Sequence, residues 1–183
     1  MGIGALKRAV FLDRDGVLND AVMRDGRPHP PANLGELRVA DGAVDALRLL
    51  KQAGFLLIVV TNQPDVGRGT QSREAVEEMN RTLGSVLPVD EWVVCWHDSP
   101  ENCDCRKPKP GMVLDAAARH GIDLGRSFLI GDRWRDIDCG HAAGVPTVWI
   151  DRGYRERGPE RPPEHLCGSI AEAAAWVVAE PPR

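Results

Sequence analysis

Three short, almost wholly apolar runs at residues 10–12, 55–60 and 127–130 end abruptly on side chains that bind ions or hydrogen-bond. The first ends at Asp13-Arg14-Asp15-Gly16, the second at Thr61-Asn62-Gln63, and the third at Gly131-Asp132. Runs of this length, with Ile58, Val59 and Val60 β-branched or valine-rich, read as strands buried on both faces of a parallel sheet. Between them, apolar residues recur at helical spacing. Strand and helix therefore alternate in short units, which predicts a parallel sheet covered by helices on both sides. In such sheets the carboxyl ends of the strands open on the ligand crevice. That is where the polar endings fall.

The remaining elements follow from punctuation. A helix is expected over 42–54, with Val44, Leu47 and Leu50 on one face and Gly54 as its stop. Ser72 reads as the N-cap of a helix running to residue 86, with Glu74 favourable in its first turn. Further helices are expected over 110–120, 134–143 and 169–180, and strands over 91–96 and 147–150. Residues 19–33, broken by Pro28, Pro30 and Pro31, read as a long irregular loop leaving the first strand. Residues 151–168 read as a solvated connector rich in proline and arginine.

At 183 residues the chain suits one domain over 1–183, with 151–183 as a terminal connector and helix. The formal net charge of −4 and the lack of a basic track argue against nucleic acid as a partner. No apolar run is long enough for a bilayer and residues 1–9 lack a signal-peptide pattern, so a cytoplasmic monomer with no membrane partner is expected.

If the strand ends meet, Asp13 and Asp15, two residues apart on an extended chain, could converge with Asp132 as oxygen ligands for Mg²⁺. Asp136, one helical turn beyond Asp132, could support the same edge. Lys107 adds positive charge and Thr61 a hydroxyl. This set suits phosphoryl transfer through an aspartyl-phosphate, one carboxylate attacking phosphorus while its neighbour moves the proton. His29, His120, His141 and His165 are read as surface or helix residues.

Three of the five cysteines crowd into residues 95–105, as Cys95-Trp96-His97 followed by Cys103-Asp104-Cys105. Without a secretion signal that clustering favours metal over disulfides. Three thiolates and an imidazole make a closed tetrahedral shell, the pattern of structural Zn²⁺. Its expected role is to pin the loop that delivers Arg106 and Lys107 to the crevice.

Asp13-Arg14-Asp15-Gly16-Val17 resembles the first motif of the haloacid dehalogenase superfamily of phosphatases. Val60-Thr61-Asn62-Gln63 is similar to its second motif, Arg106-Lys107-Pro108 to its third, and Gly131-Asp132 with Asp136 to its fourth. The four occur in order and span most of the chain. The resemblance implies an α/β, Rossmann-like three-layer sandwich with a central parallel sheet, a zinc-stabilised loop over 95–105 and no large cap domain. It implies Asp13 as nucleophile, Asp15 as general acid/base, and Thr61 and Lys107 as phosphate-binding groups. Magnesium would lie between Asp13, Asp132 and the backbone carbonyl of Asp15. Lys109 competes for the lysine role, but Lys107 directly follows Arg106, as in the family pattern.

The zinc loop is similar to that of the branch containing the D-glycero-D-manno-heptose 1,7-bisphosphate phosphatases and the histidinol-phosphatase domain. The run Cys105-Arg106-Lys107-Pro108-Lys109-Pro110-Gly111-Met112 is closer to the heptose enzymes. The resemblance implies that Arg106 contacts a remote phosphate and places Arg133 where those enzymes carry a lysine. Asn62, Gln63 and Arg68 are further candidates for substrate contact. Trp96, Pro64-Asp65-Val66, the 24–28 segment and the compact cysteine loop depart from the pattern. The expected activity is Mg²⁺-dependent hydrolysis of a sugar phosphate, the C7 phosphate of the heptose bisphosphate first. Histidinol phosphate or another small phosphomonoester is the alternative, and a non-catalytic phosphate-binding module is more distant.

Overall fold

The structure, a computed structural model, describes residues 6–180. Its strands are β1 (Ala9–Leu12), β2 (Val22–Arg24), β3 (Arg27–His29), β4 (Leu56–Asn62), β5 (Glu91–Cys95), β6 (Phe128–Gly131), β7 (Thr147–Ile150) and β8 (His165–Cys167). Its helices are α1 (Ala43–Gln52), α2 (Pro64–Gly67), α3 (Arg73–Gly84), α4 (Gly111–His120), α5 (Trp134–Ala143) and α6 (Ile170–Ala179).

Six parallel strands form the central sheet in the order β5-β4-β1-β6-β7-β8. The pleat sends alternate side chains of β1 into two separate cores. Val10 and Leu12 join Leu47 and Leu50 of α1 and Ile170 and Val177 of α6 on one face. Ala9 and Phe11 join Met112, Val113 and Ala116 of α4 and Cys139 of α5 on the other. The result is a three-layer, Rossmann-like sandwich. The chain runs from β1 outward through β4 to β5, then returns to the other side of β1 with β6. The crevice at that reversal, between the carboxyl ends of β1 and β6, is where open α/β sheets bind ligands.

The helices lie close to their expected ranges, and the caps explain why. Ser72 Oγ accepts from Ala75 N at 3.1 Å and Ser169 Oγ from Glu172 N at 3.2 Å, each satisfying an otherwise free amide of a first turn. Two segments depart from the sequence reading. Residues 19–33 are not an irregular loop throughout, because β2 and β3 pair as an antiparallel hairpin. Its two-residue turn, Asp25-Gly26, has positive φ at both positions, 49° and 72°, which matches the right-handed twist of a hairpin. The 151–168 connector contributes β8 to the sheet edge beside β7. No helix among the described residues is long and apolar enough to cross a membrane.

Candidate active site

A small cleft, partly open to solvent, lies over the carboxyl ends of β1, β4 and β6. Asp13 follows β1, and its Oδ1 accepts from Lys107 Nζ at 2.8 Å. The same ammonium lies 2.6 Å from Asp136 Oδ1, so one lysine bridges two strand ends. Asp136 sits in the first turn of α5, where Asp136 Oδ2 accepts from Arg133 N at 3.1 Å. Gly131 makes this closure possible, since a Cβ there would overlap the Asp136 side chain. Gly16 does the same opposite it. Its φ is +89°, and a Cβ would collide with Asp132 Oδ2.

Asp13, Asp132 and Asp136 are buried, with one oxygen of each within 4.8 Å of the others. Both Asp132 oxygens are buried and accept no hydrogen bond of good geometry among the described residues, the Tyr154 hydroxyl being the donor near enough to pull against the rise in its pKa. Buried carboxylates are almost always paired or metal-bound. With all three ionised and only Lys107 among them, the cluster is two charges short of neutrality, the charge of a divalent cation. Burial raises the Asp132 carboxyl well above its usual range, and Asp13 and Asp136 add to the rise. Burial likewise pushes Asp13 up to about 6, although Lys107 pulls against it. Burial alone would lower the Lys107 ammonium, but Asp13 and Asp136 outweigh it and raise its pKa. The oxygen donors, their burial and the missing charge all suit Mg²⁺.

Asp15 reaches the same cleft from the other side of the turn. Its Oδ1 accepts from Arg14 Nε (3.1 Å), Arg14 Nη2 (3.0 Å) and Asn19 Nδ2 (3.0 Å), and its Oδ2 from Gln63 Nε2 (2.8 Å). Asn62 clamps the backbone that carries Lys107: its amide donates to Lys107 O at 3.1 Å, and its Oδ1 accepts from Lys107 N at 3.0 Å. The end of β4 therefore fixes where the lysine stands.

The cysteine loop stands next to that lysine. Cys95, His97, Cys103 and Cys105 bring one donor atom each within 4.8 Å. Neighbouring donors are 3.2–3.7 Å apart, from Cys105 Sγ to Cys95 Sγ and from Cys95 Sγ to His97 Nδ1 or Cys103 Sγ. Sulfurs in a disulfide are about 2.05 Å apart, whereas a tetrahedron with metal–sulfur bonds of about 2.3 Å has edges near 3.8 Å. Arg106 leaves this loop with Nη1 donating to His97 O at 3.2 Å.

The structure brings Asp13, Asp15, Asn62, Arg106, Lys107, Asp132, Arg133 and Asp136 to the cleft wall. Three expected contacts lie elsewhere. Thr61 is buried beneath the wall, where its oxygen accepts from Gln63 Nε2 at 3.0 Å. Gln63 is fully buried with its amide nitrogen committed to Thr61 and Asp15, so it faces the carboxylate and not the cleft. Arg68 lies in an outer basin, tied to Asp65 and Asp98. Lys109 points away, to Asn102 and Asp104.

Other groups escaped the sequence reading. Arg135 lines the cleft, and among the described residues it has no carboxylate partner; Arg106 has none either. The connector wraps the site as a strap. Arg152 Nε donates to Gly16 O at 2.9 Å, the Tyr154 hydroxyl stands beside Gly16 near Asp132, Glu156 pairs with Arg133, and Arg157 stacks on Trp134. Tyr154 and Glu156 carry no signal in a single sequence, because only the return of the chain after β7 brings them here.

Comparison with known proteins agrees with this geometry. The HAD-hydrolase-like family model matches residues 104–173. The chain is 34% identical to the D-glycero-beta-D-manno-heptose-1,7-bisphosphate 7-phosphatase of Escherichia coli (strain K12), covering 93% of this chain and 87% of that protein. It is 35% identical to the protein of the same name from Pasteurella multocida, over 81% and 84% of the two chains. Among solved structures it is similar to D,D-heptose 1,7-bisphosphate phosphatase from B. bronchiseptica complexed with magnesium and phosphate, with a TM-score of 0.81 and 28% identity over 95% and 99% of the two chains.

Proposed function

Because the chain belongs to the HAD-like phosphatase family of the D-glycero-beta-D-manno-heptose-1,7-bisphosphate 7-phosphatases, we propose that it removes the C7 phosphate of that heptose bisphosphate with Mg²⁺. The observation that carries the reading is the buried carboxylate cluster of Asp13, Asp132 and Asp136, which holds only the Lys107 ammonium to balance it. Asp13 and Asp132, with the Asp15 carbonyl, are the groups that would hold the magnesium, Asp136 steadying Lys107 behind them. When bound, the ion withdraws charge from the phosphoryl oxygens.

Asp13, at the end of the central strand, is the nucleophile. One of its oxygens bonds to phosphorus, the bond from phosphorus to the sugar oxygen breaks, and the proton of Asp15 goes to that oxygen. A water oxygen then bonds to phosphorus, its proton passes to Asp15, and the Asp13–phosphorus bond breaks to release inorganic phosphate. Lys107 keeps Asp13 aligned and supplies positive charge to the transferring group. Thr61, whose hydroxyl donates to no described residue, is the candidate donor from below.

The arginines favour a bisphosphate. Arg106, Arg133 and Arg135 share the cleft wall, and only Arg133 has an acidic partner, Glu156. Burial lowers the Arg135 pKa, and the like charges of Arg133 and Arg106 lower it further, so a second anion would relieve the repulsion. Histidinol phosphate brings an ammonium group instead, which this mouth repels. The cysteine–histidine cage would hold a structural zinc, and a cytoplasmic monomer completes the proposal. A phosphate-release screen with Mg²⁺ over the heptose bisphosphate, sugar monophosphates and histidinol phosphate tests it. The bisphosphate should give the highest kcat/KM; preference for histidinol phosphate would replace the substrate, and no turnover of any ester would reject the phosphatase.

A further inference from the structure

Arg14 is the bulkiest side chain that the fold buries completely, at 0% exposure. Arginine is almost never fully buried unless paired, because removing the cation from water costs several kcal/mol that only good geometry offsets. Here the geometry is a fork. Nε and Nη2 both reach Asp15 Oδ1, at 3.1 and 3.0 Å, and Nη1 reaches Asn80 Oδ1 at 2.9 Å. Asn80 lies on α3, is 7% exposed, and has no place in the cleft. Arg14 also ties its own turn, its carbonyl accepting from Leu18 N at 2.8 Å and Asn19 N at 3.1 Å.

We infer that Arg14 is the positioning residue of the proton-transferring Asp15, and that Asn80 anchors Arg14 from α3. The inference rests on the phosphatase reading. A guanidinium stays protonated at every accessible pH and can only donate, so Oδ1 is held as an acceptor. With Asn19 also on Oδ1, that oxygen carries three donors, whereas Oδ2 carries only Gln63 Nε2 and keeps a position to exchange a proton with the substrate oxygen and later with water. Fixing the carboxylate plane keeps Oδ2 in line with the leaving group, a geometry in which small misplacements are costly. Neither Arg14 nor Asn80 touches substrate in this account. Both act through Asp15.

The test separates help to the leaving group from general support of the fold. A sugar oxygen leaves badly without a proton, whereas p-nitrophenolate leaves well without one. Arg14→Lys keeps the charge and removes the fork. Its kcat/KM for the heptose bisphosphate should fall about 10- to 100-fold, part of the usual worth of a general acid, while kcat/KM for p-nitrophenyl phosphate stays within about threefold. For the aryl ester kcat and KM should fall together, because hydrolysis of the aspartyl-phosphate still needs Asp15 as base. Asn80→Leu leaves every cleft residue in place and should give the same pattern at smaller amplitude, so it decides the matter if Arg14→Lys does not fold. Equal losses on both esters, or no loss on either, would overturn the inference and leave the phosphatase reading standing. A wild-type protein that hydrolyses neither ester would remove that reading and this inference with it.

Discussion

Asp132 owes its environment to two glycines and a central strand. Gly16 and Gly131 let backbone and carboxylates approach where any Cβ would collide, and the price is a cluster of charge at the floor of the cleft with little exposure to water. Mg²⁺ binding to the folded state alone should therefore stabilise the protein, by about 2.7 kcal/mol at a hundred times its Kd. At about 2–4 °C per kcal/mol for a chain of this size, thermal melts should resolve the shift. Asp132→Asn should raise the melting temperature of the metal-free protein, by removing a buried unpartnered charge, and should erase the Mg²⁺ shift. An undiminished shift in that variant would place the ion elsewhere. Gly131→Ala should destabilise by about 1–3 kcal/mol, as overpacking of a tight site does. It should also cost activity, since the added methyl pushes Asp136 away from Lys107. Chemical denaturation and turnover check the two halves separately.

Between residues and fold stands the cysteine loop. Residues 96–110 bury few apolar side chains of their own, and the hold on them comes from the Cys95–His97–Cys103–Cys105 cage and from the clamp of Asn62 on Lys107. Zinc chelation, or Cys105→Ser, should open this segment to proteolysis and lower kcat, because Lys107 and Arg106 ride on it. Full activity in protein that metal analysis finds zinc-free would contradict this. At this scale the sequence was partly legible. The five long helices declared themselves by period and cap, as Ser72 and Ser169 illustrate. The hairpin of β2 and β3 was missed although Asp25-Gly26 is a strong turn signal, because the prolines at 28, 30 and 31 suggested irregular chain. β8 was missed because three residues after two prolines have no period to read.

Across the whole molecule, strand order decides what meets what. Asp13, Asn62 and Asp132 were visible because each ends a strand, and the sheet order puts β4, β1 and β6 side by side. Arg14, Asn80, Arg135 and Tyr154 were not, since their partners come from α3, the loop after β5 and the returning strap. The arginine-lined mouth yields its own prediction. Arg135→Glu should raise KM for the bisphosphate about tenfold, the worth of one charge-assisted contact, and leave a sugar monophosphate nearly unaffected. On the proposed reading Asp13, held by Lys107 at the switch point of the sheet, takes the C7 phosphate. ³¹P NMR of D-glycero-beta-D-manno-heptose 1,7-bisphosphate incubated with protein and Mg²⁺ tests it most directly. The predicted spectrum loses the C7 resonance, gains one equivalent of inorganic phosphate, retains the C1 resonance, and is unchanged with Asp13→Asn; release from C1, no release, or equal release by the variant would contradict the account.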